Sequence, residues 1–288
     1  MTLNFTEATA YRKLWMPNLF QEYLFKAAII KPLVDYRTDN VKYIENPYGS
    51  AGTITQNSSI VGTYSVGTFS VTADTLTVTE EFVWSEHVYQ FEKVASVADV
   101  RGARMKDAMG QLAYAVDKWA LNELCDKGTG AYTTPAGGFT TPANVLAIAA
   151  NLASKCVGFA ANYSSKYIVI EPTDLPGVLQ AMFSSGFATA DRALNNGFLN
   201  HWADFDWYVC GASTFVSATL GTSTYTNSGH RVAGVKGLAT LLQPLGEMQW
   251  MEKEVTGKTG VELALASYAG MKVWAQKASL TIDITLAY

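Results

Sequence analysis

Charged residues are scarce in this chain. Asp, Glu, Lys and Arg make up 16% of its 288 residues, whereas about 25% is usual for a soluble domain. Hydrophobic residues reach 49%, and 21 basic against 25 acidic residues leave a formal net charge of −4. This balance excludes a disordered chain and supplies no basic face for a dedicated nucleic-acid binder. A surface so poor in charge predicts a subunit that is covered by other subunits in an obligate assembly.

Cysteine is scarce as well. The three cysteines, Cys125, Cys156 and Cys210, lie far apart and form no Cys-x-x-Cys pair, so the sequence indicates neither a disulfide framework nor a zinc site. We expect them to be small buried hydrophobic residues of a protein made in a reducing compartment. None of the three histidines has another histidine at helical or hairpin spacing. We therefore expect no metal site and no cofactor.

Long uninterrupted apolar runs are absent too. The charge-free stretches 128–154 and 207–230 are interrupted by Gly, Pro, Ser, Thr and Asn, and neither offers the roughly 20 apolar helical residues that a bilayer requires. The N-terminal residues lack the layout of a signal peptide, since Glu7 comes early and Pro17 interrupts the apolar stretch. We expect a soluble protein with no membrane partner.

Catalytic motifs are weak. Gly257-Lys258-Thr259 resembles the end of a phosphate-binding loop, but Glu252 stands where the first glycine is needed, so a β-turn is the better interpretation. His201 lies near Asp204 and Asp206 and suggests a His–carboxylate dyad, yet no Gly-x-Ser-x-Gly motif accompanies it. We expect no catalytic residue. A soluble α/β hydrolase that uses His201 with Asp204 or Asp206 is the alternative from a different class.

The first half of the chain contains three segments that differ in composition and in hydrophobic pattern. Residues 6–30 are rich in aromatics at helical spacing, which suggests an arm that packs on something else. Residues 41–84 combine turn-forming and Thr-rich stretches with an alternating strand that ends at Trp84, and Thr72-Ala73-Asp74-Thr75 is predicted to be a turn. Residues 96–124 form the strongest helical pattern, with one face made of Met105, Met109, Leu112, Val116 and Trp119.

The second half alternates helices and strands. Thr141 and Pro142 begin a predicted helix, residues 166–171 form a buried strand, Thr173 caps the next helix, and residues 207–210 form a second strand. Strands follow at 261–265, 271–274 and 280–286. Helices that cover a sheet between two β-rich regions predict an α+β fold.

Taken in order, these elements resemble the tailed-phage major capsid proteins with the HK97-type fold. Local detail is similar in Lys166-Tyr-Ile-Val-Ile-Glu-Pro172, in Leu194-Asn-Asn-Gly197-Phe-Leu and in Asp206-Trp-Tyr-Val-Cys-Gly211. The resemblance implies five ranges: an N-terminal arm (1–40), an extended β-loop (41–84), a spine helix with peripheral domain (85–140), an axial α/β domain (141–230) and a return to the axial and peripheral β-sheet (231–288).

The resemblance also implies a function without catalysis. Copies of the chain would form hexamers and pentamers of an icosahedral shell around double-stranded DNA, which is held non-specifically. Its partners would be other copies, a portal and scaffolding or decoration proteins, and it would be located in the virion capsid after assembly in the host cytoplasm. The rival within this fold is an encapsulin-like nanocompartment. Candidate inter-subunit contacts in the arm and loop are Trp15, Phe20, Tyr48, Ile60, Tyr64 and Phe69.

Overall fold

The computed structural model describes residues 29–49, 71–89, 100–156, 165–185, 198–244, 249–254 and 260–287. Two β-sheets and a long helix organise this part of the chain. The five ranges implied by the resemblance stay predictions. Both sheets draw strands from several of these ranges.

The long helix α1 spans Val100–Lys127, and the sequence pattern predicted it over residues 96–124. It contacts strands of both sheets. Leu112, Val116 and Trp119 are buried as predicted, but Met109 is 43% exposed. The described residues therefore bury the predicted apolar face only in part, and Met109 stays exposed.

The larger sheet has six strands in the order β5–β15–β11–β6–β8–β7. Their bounds are β5 Gly130–Thr133, β6 Lys166–Ile170, β7 Phe198–Trp202, β8 Phe205–Val209, β11 His230–Val235 and β15 Thr281–Thr285. Most neighbours are antiparallel, whereas β6 with β8 and β15 with β5 are parallel. The pair β5 and β15 joins residues about 150 positions apart in the chain.

Helices cover both faces of this sheet. On one face lie α2 (Pro142–Lys155) and α3 (Leu175–Ser184), and on the other lies the C-terminal part of α1. Every residue of β6 is buried. Ile168 and Ile170 pack towards α2 and α3, while Tyr167 and Val169 pack towards α1, as the alternation of side chains along a strand requires.

The second sheet is built around one long strand, β14 (Gly260–Val273). β4 (Glu80–Tyr89) and β13 (Gln249–Glu254) flank its first part, and β12 (Ala239–Leu242) pairs with its end and with β1 (Asp35–Arg37). The prediction of two separate strands at 261–265 and 271–274 is wrong, because β4 pairs with β14 up to Ala269 and keeps it extended. Gly270 fits there because a Cβ atom would lie 2.5 Å from the carbonyl oxygen of Thr77.

Two short hairpin-like pairs complete the fold. β2 (Tyr43–Gly49) pairs with β3 (Val71–Thr77), and β9 (Thr219–Leu220) pairs with β10 (Ser223–Thr224). The predicted turn at Thr72-Ala73-Asp74-Thr75 is wrong, since these residues lie inside β3. Pro47 is tolerated in β2 because a strand of a two-stranded pair has one free edge, where a missing N–H breaks no ladder bond.

Candidate assembly surface

The antiparallel pair β2–β3, called the ribbon below, lies largely in solvent. Its seven residue pairs run from Tyr43 opposite Thr77 to Gly49 opposite Val71. Leu76 is 1% exposed, but Tyr43 is 59% and Val71 62% exposed. An isolated two-stranded pair is marginal in water, and each ribbon strand has an outer edge that can pair with another chain. The ribbon is therefore a surface suited to being covered by a neighbouring subunit.

The middle of the ribbon is fixed to the body of the protein. Lys272 of β14 lies 2.8 Å from the Asp74 carboxylate, which also accepts a hydrogen bond from the Ala275 N–H at 3.2 Å. Burial alone would raise the pKa of Asp74, but these hydrogen bonds and the Lys272 charge outweigh it and lower the pKa below its usual value. The ribbon is thus anchored at its middle, and the pairs from Pro47–Ala73 to Gly49–Val71 extend beyond this charged contact.

A second exposed apolar area lies where β4 crosses α1. Phe82 and Trp84 pack inward against Leu112, whereas Val83, on the opposite face of β4, is 58% exposed. Alternation along the strand explains the difference. Val83 and Met109 are thus two further exposed apolar side chains outside the ribbon.

Of the six predicted inter-subunit contact residues, only Tyr48 lies in the part of the chain that the structure describes. Tyr48 lies near the distal end of the ribbon and is partly exposed. The other five, Trp15, Phe20, Ile60, Tyr64 and Phe69, lie outside the described residues. All six remain predicted inter-subunit contacts. The motif Gly257-Lys258-Thr259 also lies outside the described part of the chain.

A buried carboxylate binds the backbone at Ile29, the first described residue of the predicted arm. Asp117 of α1 is 5% exposed, and its Oδ2 accepts a hydrogen bond from the Ile29 N–H at 2.8 Å. Burial raises the pKa of Asp117 to about 7, against the opposing effects of the Ile29 and Ile30 N–H groups and of Lys31. Its charge therefore changes near neutral pH.

Two further polar residues tie the segment between β8 and β11 to the rest of the fold. Asn122 of α1 donates to the Thr214 carbonyl at 2.8 Å and accepts from the Val216 N–H at 3.3 Å. Glu80 at the start of β4 accepts a hydrogen bond from the Thr222 N–H at 3.0 Å and another from the Thr222 hydroxyl. Both side chains are buried. Asn122 fastens this segment to the long helix, and Glu80 fastens it to β4.

Sequence reasoning missed the role of Glu80. Glu80 and Glu81 point to opposite faces of β4, so that Glu80 is buried and Glu81 exposed. The available signal was that Glu80 shares its face with Phe82 and Trp84, because an acidic residue on an apolar face needs hydrogen-bond donors.

A buried ion pair connects α3 to the six-stranded sheet. Arg231 Nε lies 2.5 Å from Asp174 Oδ2, and both side chains are at most 3% exposed. Arg231 also lies 3.2 Å from Glu171. The predicted cap at Thr173 is wrong: Asp174 is the N-cap of α3, and its side chain makes no cap hydrogen bond because it is bound to Arg231.

The predicted His–carboxylate dyad has the geometry of a surface ion pair. His201 Nδ1 lies 2.7 Å from Asp206 Oδ1, and the His201 side chain is 63% exposed. Lys236 lies 2.5 Å from the other Asp206 oxygen. Desolvation would raise the pKa of Asp206, but its bonds to Lys236 and His201 lower it. Asp204 does not join the dyad and pairs with Lys166 instead.

The three cysteines are free and buried, as predicted. Burial raises the pKa of Cys156 to about 11 and that of Cys210 to about 12. Neither thiol therefore has the character of a nucleophile at neutral pH. In the part of the chain that the structure describes, no helix is long and apolar enough to cross a bilayer.

Comparison with known proteins gives a match at the level of fold. No protein-family model matches the chain, and no curated protein is similar to it in sequence. Among solved structures, the capsid of the cyanophage P-SCSP1u is similar with a TM-score of 0.69 and 13% identity, over 91% of this chain and 89% of the other.

Two further structures extend the comparison. The mature capsid of bacteriophage PhiM1 is similar with a TM-score of 0.63 and 10% identity, over 90% of this chain and 86% of the other. The virus-like particle from Pyrococcus furiosus is similar with a TM-score of 0.56 and 9% identity, over 96% and 99%. The chain therefore has the HK97-like fold of tailed-phage capsid proteins, and the α+β prediction is confirmed.

Proposed function

We propose that this chain is the major capsid protein of a tailed bacteriophage, and that its copies form the hexamers and pentamers of an icosahedral shell around double-stranded DNA. The observation that carries the proposal is the similarity to phage capsid structures over about nine-tenths of both chains, as for the cyanophage P-SCSP1u capsid. Its role is structural and involves no catalysis.

Features of the chain itself support self-assembly. The low charged fraction suits a subunit that is buried on several sides, and the exposed Tyr43, Val71 and Val83 are apolar side chains that a neighbour can cover. Rings of identical subunits require heterologous contacts, which a projecting ribbon can provide by reaching across a neighbour.

The remaining partners follow from the same proposal. A shell that is filled with DNA requires a portal, and scaffolding or decoration proteins are further candidates. The net charge of −4 suits a container that encloses DNA without binding it tightly. The place of the protein would be the virion capsid, after assembly in the host cytoplasm.

Electron microscopy of purified protein tests the proposal directly. We expect closed shells from the wild-type chain. Asn46 and Asp74 face each other in the ribbon, so a two-residue Asn-Gly turn can replace residues 47–73 and keep the contacts of Asp74 with the body of the fold. This variant should remain a folded, unassembled subunit by circular dichroism and light scattering, and normal shells from it would contradict the proposal.

A point substitution with a matched control isolates the apolar surface of the ribbon. Val71→Asp places a charge where a neighbouring chain would cover Val71. Burying an unpaired charge costs at least about 1.4 kcal/mol per subunit contact, so the yield of shells should fall at least tenfold. Val71→Ile keeps the side chain apolar and β-branched and should assemble normally. Equal yields from both variants would show that this part of the ribbon is not an interface.

An encapsulin-like nanocompartment, which encloses an enzyme instead of a genome, is the alternative within this fold. The contents of purified particles distinguish the two. DNA that survives nuclease treatment of intact particles supports a capsid, whereas a co-purifying enzyme without DNA supports a nanocompartment.

A further inference from the structure

A thiol, an imidazole and a carboxylate converge at the C-terminal end of the long helix. Cys125 comes from α1, His230 begins β11 and Asp283 lies in β15, and one potential ligand atom from each lies within 4.8 Å of the other two. Cys125 and Asp283 are 158 positions apart, and His230 and Asp283 are 53 apart. The fold, and not a local motif, therefore brings the three groups together.

The carboxylate occupies the middle of this cluster. The Cys125 thiol donates to Asp283 Oδ1 at 2.8 Å, and His230 Nδ1 lies 2.9 Å from Oδ1 and 3.0 Å from Oδ2. A Cys–His–Asp catalytic site has the imidazole in the middle, where it can take the proton of the thiol. Here the imidazole and the thiol both face the carboxylate, so the arrangement does not activate Cys125 as a nucleophile.

We propose that Cys125, His230 and Asp283 form a zinc-binding site. Sulfur, imidazole nitrogen and carboxylate oxygen are the three ligand types that Zn²⁺ takes in proteins. Ligand atoms around a tetrahedral zinc ion lie about 3.3–3.6 Å apart, given bond lengths of about 2.0–2.3 Å. The contacts of Asp283 with Cys125 and His230, at 2.8 and 2.9 Å, would each lengthen by roughly half an ångström to reach this spacing.

Exposure of the cluster fits a site that is loaded from solution. Cys125 is 3% exposed, whereas the side chains of His230 and Asp283 are 23% and 24% exposed. The ion would enter from the side of these two residues, and a water molecule would complete its coordination. On binding, the thiol proton passes to solvent and a Zn–S bond replaces the S–H bond. The imidazole loses its Nδ1 proton to water and takes one up at Nε2, so that the neutral ring binds zinc through Nδ1 and one proton is released in total.

Zinc would join three elements that are distant in sequence. β11 and β15 are neighbours in the six-stranded sheet, and α1 crosses the face of that sheet. An ion held by all three would fasten the end of the helix to the sheet. Because zinc would bind the folded chain in preference to the unfolded one, it would raise the melting temperature as its concentration increases.

Zinc titration of the full-length protein, after removal of metal with a chelator, tests the proposal. We expect one zinc ion per chain by calorimetry and a melting temperature that rises with zinc concentration. His230→Gln should weaken binding by more than about tenfold, since even the loss of a group that only supports a ligand has an effect of this size. Cys125→Ser replaces sulfur with a poorer ligand and should weaken binding at least as much.

The chain contains a matched control. His201 and Asp206 form a His–carboxylate pair at 2.7 Å, and no cysteine is grouped with them among the described residues. His201→Gln should therefore leave zinc binding unchanged. Circular dichroism of each variant establishes that it is folded.

Cobalt provides a readout that does not depend on any variant. Co²⁺ bound to the wild-type protein should show near-ultraviolet thiolate-to-metal charge transfer and the visible bands of a tetrahedral ion. The proposal is overturned if the wild-type protein binds no zinc, if His230→Gln binds it as tightly as wild type, or if bound cobalt shows no thiolate absorption. In each of these cases the cluster is a hydrogen-bonded network only.

Discussion

Trp119 provides the sharpest test of how the long helix is packed. Its side chain is 2% exposed and meets the ring of Phe82 edge-on, with 5.8 Å between ring centroids. Replacing a buried Trp with Ala costs about 3–5 kcal/mol, because it removes apolar contacts and leaves a cavity. We expect Trp119→Ala to reduce the free energy of unfolding by that amount.

A second substitution separates the contribution of the ring from that of its N–H group. Trp119 Nε1 is buried and has no hydrogen-bond partner among the described residues, and such a group costs about 1–3 kcal/mol in the wild-type protein. Trp119→Phe removes this group and keeps an aromatic ring against Phe82. The smaller ring leaves a modest cavity, so we expect the two effects nearly to cancel, to within about 1 kcal/mol.

Guanidinium unfolding of the unassembled chain, followed by far-ultraviolet circular dichroism, measures both variants. Dilute protein avoids a contribution from assembly. The reasoning is refuted if Trp119→Ala costs less than about 1 kcal/mol. It is also refuted if Trp119→Phe destabilises the protein as much as Ala does.

Three further changes test the polar contacts. Asp117→Asn keeps an acceptor for the Ile29 N–H but cannot ionise. Because folding raises the pKa of Asp117 from 3.8 to about 7, the wild-type chain should lose stability relative to this variant as the pH rises from about 4 to 7. Identical dependence of stability on pH in the two proteins would contradict the burial of this carboxylate. Arg231→Met leaves the buried Asp174 carboxylate without its ion-pair partner and should lower the free energy of unfolding, measured with urea, by about 3–5 kcal/mol. Adding Asp174→Leu should restore most of this loss. Asp74→Ala releases the middle of the ribbon from β14. It should lower shell yield while changing the free energy of unfolding by no more than about 1 kcal/mol, and a large loss of stability would show that Asp74 supports the core instead.

Elements specified by neighbouring residues were predictable from the sequence. Pro142 lies at the start of α2 as expected, since its fixed φ angle suits the first helical position. The apolar run in residues 166–171 became the fully buried strand β6. In both cases the deciding physics acts within a few residues.

Features that depend on distant partners were not predictable. Residues 72–75 have the composition of a turn, but pairing with β2 holds them in a strand. Nothing near Asp117 or Asp174 in sequence indicates that the Ile29 N–H and Arg231 supply their partners. The cluster of Cys125, His230 and Asp283 was missed for the same reason, because metal-ligand spacing was sought along the chain and these groups meet only in the folded protein.

The position of β15 has a consequence for the timing of synthesis. This strand lies inside the six-stranded sheet, between β5 and β11, so residues 281–285 must leave the ribosome before the sheet can close. Such long-range pairing is slow because a large loop must be ordered first. A nascent chain therefore cannot complete this sheet until translation has passed residue 285.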